Sequence, residues 1–162
     1  MQHMWAPWRI DYILADKERG CVLCDKLEEG RDRDNLVLFR ADRCFVIMNL
    51  YPYNNGHLLV SPRRHVARLT ALEPEEVMEL GLVLGECERI LQDVMAPEGF
   101  NIGMNIGRIA GAGVEHHLHF HIVPRWGGDT NFMTALGDTR VIPQALTDTY
   151  DSLFPHFKAL VL

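Results

Sequence analysis

The segment Glu115-His-His-Leu-His-Phe-His-Ile-Val sets His117, His119 and His121 at alternate positions. In an extended chain, residues two apart project from one face. The three imidazoles would then share a surface while Leu118, Phe120 and Ile122 turn inward. Like charges this close depress one another's pKa, so at least one ring is expected to be neutral near pH 7. A neutral imidazole can act as a nucleophile or as a metal ligand. Residue type and spacing leave three readings open. The first is a polar strand face without chemistry. The second is a three-histidine catalytic metal site, and the third is a nucleophilic middle histidine flanked by two that bind and orient a substrate.

A second constellation is Cys21-Val-Leu-Cys24, which has the two-residue spacing of a zinc half-site. The same spacing suits a redox dithiol, although no βαβ pattern surrounds it, or two free buried thiols. Cys44 and Cys87 stand apart and read as core residues.

The elements that must carry these residues follow from periodicity. Apolar residues make up 48% of the 162-residue chain and charged residues 23%, enough for one domain spanning 1–162. Lys and Arg number 16 against 22 Asp and Glu, and a net charge of −6 argues against a nucleic-acid partner. No apolar run approaches the ~20 residues that span a bilayer, and Met1 to Tyr12 lack the uninterrupted apolar stretch expected of a secretory signal. Four cysteines are too few for a disulfide scaffold, so a reducing cytoplasm is the expected setting. Short β-rich runs at 36–39, 44–48, 57–61, 100–106 and 117–123 predict five strands, with polar residues 28–35 as a turn. Val77, Leu80, Leu84, Cys87, Leu91 and Val94 draw an apolar stripe that predicts a long helix over 74–95, opened by Pro74. Glu79, Glu86, Glu88 and Asp93 read as its solvated face. A further helix is expected over 143–160. Trp5, Trp8 and Tyr12 look like anchors for the N-terminal segment. Hairpin-length connections favour an antiparallel α+β domain over a doubly wound one.

Taken with its surroundings, His117-x-His119-x-His121-Ile-Val resembles the signature of the histidine-triad nucleotide-binding superfamily. Asn49-Leu-Tyr-Pro-Tyr-Asn-Asn-Gly-His57-Leu-Leu-Val is similar to its nucleoside-binding turn and strand. Phe100-Asn-Ile-Gly-Met-Asn105-Ile-Gly and Ala110-Gly-Ala-Gly-Val resemble its phosphate-side strand and loop. Trp5-Ala-Pro-Trp-Arg, Pro124-Arg-Trp-Gly-Gly-Asp and Asn131-Phe-Met resemble the bacterial branch that contains diadenosine polyphosphate phosphorylases.

The resemblance implies a five-stranded antiparallel sheet with a long helix and a C-terminal helix, two copies joining into one continuous sheet. Residues 1–30 would form an N-terminal segment, 36–124 the core and 125–162 a C-terminal extension. It further implies attack by His119 on the α-phosphorus of an adenine nucleotide. A covalent nucleotidyl-histidine results, which water or inorganic phosphate resolves. His121 and the Asn105 amide would donate to phosphoryl oxygens, and His57 would orient the triad. Asn49 would contact the ribose or merely cap its turn. Arg125 would clamp phosphate or stand as a surface charge. In zinc-bearing relatives the ligand set corresponds to Cys21, Cys24, His65 and His117. Such a closed tetrahedron would be structural.

One departure qualifies the substrate. Relatives carry Gln-Ser or Gln-Thr before the triad, where this chain has Gly111-Ala-Gly-Val-Glu-His and no hydroxyl. Backbone N–H groups of Gly111 and Gly113 would cradle phosphate instead. A leaving group needing little protonation is favoured, and phosphorolysis of diadenosine tetraphosphate to ATP and ADP is the leading expectation. The alternatives are a hydrolase or phosphoramidase of the same family releasing AMP, and a zinc-stabilised nucleotide-binding module with little turnover.

Overall fold

The computed structural model describes residues 20–129 and 142–162. The expected anchors Trp5, Trp8 and Tyr12, and the stretch Asn131-Phe-Met, lie outside the described residues. The elements run α1 (Val22–Glu28), α2 (Asp32–Asn35), β1 (Val37–Arg40), β2 (Cys44–Met48) and β3 (Leu58–Pro62). They continue with α3 (Pro74–Met95), β4 (Gly99–Gly103), β5 (Phe120–Arg125) and α4 (Leu146–Lys158). The strands form one sheet in the order β1-β2-β3-β5-β4, every neighbouring pair antiparallel. The α+β architecture is the one expected.

β2 is buried along its whole length, as a strand must be when both faces of its sheet are covered. Val46, Met48, Leu58, Val60 and Ile122 pack on one face beneath α3 and α4. On the other, Val37, Phe45, Ile47 and Leu59 meet Leu23 of α1. Alternation along β3 and the run into it therefore puts His57, Leu59 and Ser61 on the α1 side. Leu59 pairs with His121, which shares that side.

Four expectations need correction. Residues 28–35 do not form a simple turn, because α2 occupies Asp32–Asn35, and α1 occupies residues just after Cys21. The last strand begins at Phe120, not at His117. Leu118 N–H donates to the Val66 carbonyl at 2.7 Å, and the Ser61 hydroxyl donates to the Leu118 carbonyl at 2.7 Å. These contacts replace a regular ladder over 117–119. The same strand runs on through Pro124, which comes after pairing with β3 has ended at Ile122. The third correction concerns the helix stripe. Val83 and Ile90 are fully buried while Val77 is 51% exposed, so the inward face is rotated from the expected one.

The fourth concerns Glu79, expected on the solvated face of α3 but half buried, as its neighbour Glu76 is fully buried. Glu79 Oε1 accepts from the backbone N–H groups of Arg43 and Cys44, at 2.7 and 2.9 Å, and holds the start of β2. Glu76 is buried, receives the Glu73 N–H at the helix start, and takes two bonds from Arg64 at 2.8 and 2.6 Å. The guanidinium holds its carboxyl down at about 2. A depressed folded-state pKa contributes stability that is complete above the unfolded value of about 4.3 and is lost as pH falls toward 2. Glu76→Gln should therefore lower the melting temperature at pH 7 by about 2–4 °C, a modest value because Arg64 is half exposed. Thermal melts at descending pH should show the difference from wild type closing below pH 4. A difference independent of pH would contradict this origin.

Candidate functional site

The histidines divide into two groups. His119 and His121 lie edge to face with centroids 5.0 Å apart, and His57 closes on His121 at 5.1 Å. His117 turns to the thiols of Cys21 and Cys24 and to the ring of His65.

Unambiguous backbone partners fix the protons. Tyr53 N–H can only donate, and it points at His57 Nδ1 at 3.0 Å. In the neutral ring the proton then sits on His57 Nε2, which lies 2.9 Å from His121 Nδ1. His121 Nδ1 accepts, so its own proton is on Nε2. That buried Nε2–H has no partner among the described residues. His119 Nδ1 lies 2.8 Å from the His117 carbonyl and must donate to it. In the neutral ring, His119 Nε2 is left as a bare lone pair. Burial holds His119 below the ordinary histidine range. Burial, then the neighbouring His119, brings His121 down to about 4. Both rings are neutral at pH 7, so one nucleophilic nitrogen stands beside one unsatisfied donor.

The second group is a candidate metal centre. Cys21, Cys24, His65 and His117 offer ligand atoms that all lie within 4.8 Å of one another. His117 Nδ1 is 3.3 and 3.4 Å from the two sulfurs, and His65 Nδ1 is 3.4 Å from Cys24 Sγ. Ordinary zinc bond lengths and a tetrahedral angle put sulfur and nitrogen roughly 3.5 Å apart, so the spacing fits. His117 Nε2 lies 2.8 Å from the Pro62 carbonyl and donates to it, which turns the bare Nδ1 toward the thiols. This backbone-oriented tautomer is the usual support of a metal-ligating histidine. Burial, and then its neighbour Cys21, raises the Cys24 thiol to about 11. A divalent cation would relieve that crowding by taking both sulfurs as thiolates. The cluster can hold a metal ion.

The remaining expected residues are placed as follows. Asn49 Nδ2 is 3.3 Å from His57 Nδ1, and its Oδ1 accepts the Tyr51 N–H at 3.0 Å, so it both caps its turn and touches His57. Gly103 pairs with His121, so the chain reaches Asn105 two residues past that level. Asn105 Nδ2 comes within 3.8 Å of where a Gly111 Cβ would be, and Gly111 itself has φ +89°. Asn105 and Gly111 are thus brought together in the loop that also holds Gly113. Arg125 lies four residues beyond His121 along β5. Its guanidinium binds the Asp129 carboxylate at 2.6 and 2.8 Å and Asn101 Oδ1 at 2.7 Å. His116 is exposed in the turn before the triad.

Sequence reasoning missed Tyr53. Its backbone sets the His57 tautomer, and its ring stacks on His121 at 5.6 Å and 18°. A tyrosine four residues before a motif histidine carries no signal of that role.

Fold and site together define an α+β domain with a paired-histidine centre and an adjoining thiol–imidazole cluster. The chain belongs to the HIT domain family, whose pattern matches residues 31–128. It is 39% identical over 157 residues to the AP-4-A phosphorylase of Mycobacterium tuberculosis, covering 92% of this chain and 80% of that protein. The bis(5'-nucleosyl)-tetraphosphatase [asymmetrical] of Schizosaccharomyces pombe is 36% identical over 93 residues, covering 57% of this chain and 50% of that one. Among solved structures, a Zn-bound histidine triad family protein from Mycobacterium smegmatis superposes with a TM-score of 0.69 at 26% identity. That alignment covers 86% of this chain and 94% of the other.

Proposed function

We propose that this chain transfers an adenylyl group from a diadenosine polyphosphate to inorganic phosphate by way of a covalent intermediate on His119. The carrying observation is the forced proton pattern that sets the His119 Nε2 lone pair beside an unsatisfied His121 Nε2–H. Similarity to the phosphorylase of M. tuberculosis supports phosphorolysis as the second half-reaction.

In the first step His119 Nε2 attacks the α-phosphorus. A P–N bond forms as the P–O bond to the polyphosphate breaks, and the leaving group departs as ATP when the substrate is diadenosine tetraphosphate. The ring keeps its Nδ1 proton and becomes an imidazolium, whose charge the His117 carbonyl faces. His121 Nε2–H donates to a non-bridging phosphoryl oxygen as charge builds there, and the Asn105 amide does the same from β4's side. Gly111 and Gly113 contribute backbone N–H groups, and Asn49 contacts the ribose. In the second step a phosphate oxygen attacks the phosphorus. The P–N bond breaks and ADP leaves with His119 neutral again. Arg125 would have to release Asp129 to reach a phosphate, so its role here is to secure the end of β5.

Zinc fits Cys21, Cys24, His65 and His117, and its part is structural, tying α1 to the residue whose carbonyl orients His119. The edge strand β4, exposed from Asn101 to Gly103, supports a homodimer with one continuous sheet. The acidic charge and the reduced cysteines suit a cytoplasmic enzyme. Among the described residues no helix is long and apolar enough to cross a membrane.

Incubation with diadenosine tetraphosphate tests the reaction. Over many turnovers ATP and ADP should form in equal amounts, and sustained formation should require phosphate. ATP and AMP formed at a rate indifferent to phosphate would make the chain a hydrolase instead.

A further inference from the structure

The turn Asn54-Asn55-Gly56 that delivers His57 is fastened on three sides. Asn54 Nδ2 donates to the Pro124 carbonyl at 3.0 Å and to Asp129 Oδ2 at 2.9 Å, which ties it to the end of β5. Gly56 has φ +71°, and a Cβ there would sit 2.7 Å from Met95 Sδ, so the turn is seated tightly on α3. The third fastening reaches the C-terminal helix. Asn55 Nδ2 donates to Gln144 Oε1 at 3.1 Å, and the Thr149 hydroxyl lies 3.1 Å from Asn55 Oδ1.

The Thr149 hydroxyl has one proton and three acceptors within reach: Asn55 Oδ1, Gln144 Oε1 and the Ala145 carbonyl. Gln144 Oε1 already receives the Asn55 amide, and the Ala145 carbonyl already receives the Thr149 N–H. Asn55 Oδ1 is the acceptor that the hydroxyl must satisfy. Thr149 is 1% exposed and Asn55 8%, so water is a poor substitute for either partner. The contact therefore sets where the turn and α4 meet. Thr149 and Gln144 lie beyond the family pattern, which ends at residue 128 and includes Asn55.

We infer that Thr149 and Gln144, on the C-terminal extension, are positioning residues for His57: by holding Asn55 they fix the turn that aims His57 Nε2 at His121. The inference rests on the reading of His57 and His121 as parts of the reacting centre. Neither Thr149 nor Gln144 touches substrate; each acts through the turn.

Thr149→Val keeps the shape and removes the proton. With diadenosine tetraphosphate and phosphate, kcat should fall about tenfold with KM within about twofold, the pattern of a misaimed catalytic group. Thr149→Ser, which keeps the hydroxyl, should recover most of the loss. Nitrogen-15 spectra of the histidine rings should show His57 Nδ1 unprotonated in the wild type, and drifting toward a tautomer average in Thr149→Val. Gln144→Ala, at a half-exposed position that folding tolerates, should lower kcat about threefold in the same manner. A folded Thr149→Val variant with wild-type kcat and unmoved His57 signals would overturn the inference, as would a serine variant as slow as the valine one. If Thr149→Val does not fold, an undiminished kcat in Gln144→Ala overturns it alone. Absence of turnover in the wild type would sink the proposed reaction, while the ring spectra would still decide the positioning role.

Discussion

His119→Ala is expected to reduce turnover of diadenosine tetraphosphate by about 10⁴-fold or more, while nucleotide affinity changes by only a few-fold. The asymmetry follows from what the ring does. His119 Nε2 takes part in no hydrogen bond among the described residues, and its Nδ1 proton is held by a backbone carbonyl. In the proposed reaction the lone pair therefore contributes to bond formation with phosphorus much more than to holding the substrate. There the phosphate and ribose contacts come from other residues, so binding should survive. Equilibrium binding beside steady-state kinetics checks both halves. If affinity and every measurable activity survive the substitution together, the protein is a nucleotide-binding module and not an enzyme.

Metal removal should have the other large effect, and of a different kind. The purified protein is expected to carry one zinc per chain, and chelation should lower its melting temperature by about 10–20 °C. That range corresponds to roughly 5 kcal/mol, a fraction of what structural zinc supplies in small domains, since this fold also has a substantial apolar core. Cys24→Ser should reproduce the shift and abolish zinc binding. The rate per folded molecule should change far less, because no reacting atom contacts the cluster. Calorimetry with metal analysis, alongside turnover at a temperature where the stripped protein stays folded, separates the effects. Complete loss of activity in folded, stripped protein would instead favour a catalytic metal.

Much of this site could be read along the chain because its residues are close in sequence or sit on regular elements. The alternating histidines, the hairpin into β2 and the helix Pro74–Met95 all follow from local periodicity. What escaped depends on contacts between distant segments. Period-two reasoning put His117 on a common face with His119 and His121. The chain leaves the ladder there, because Leu118 bonds to Val66 and Ser61. Glu79 looked like a solvated charge because its partners, the N–H groups of Arg43 and Cys44, lie some 35 residues upstream. Asn55 read as a turn residue, and nothing local to Thr149 announced that its hydroxyl would reach 94 positions back. Arg125, a phosphate clamp or a lone surface charge by its neighbours, is committed to Asp129. Residue types along a strand declare its chemistry, whereas buried polar pairs are declared only by the fold that joins them.

Rapid mixing with diadenosine tetraphosphate in the absence of phosphate, quenched into base where phosphoramidate bonds persist, would capture the enzyme in mid-reaction. Peptide mass spectrometry should then find one adenylyl group, carried on His119 and formed fast enough to account for steady turnover. An adenylyl group on any other residue, or full turnover with none bound at any time, would contradict the account.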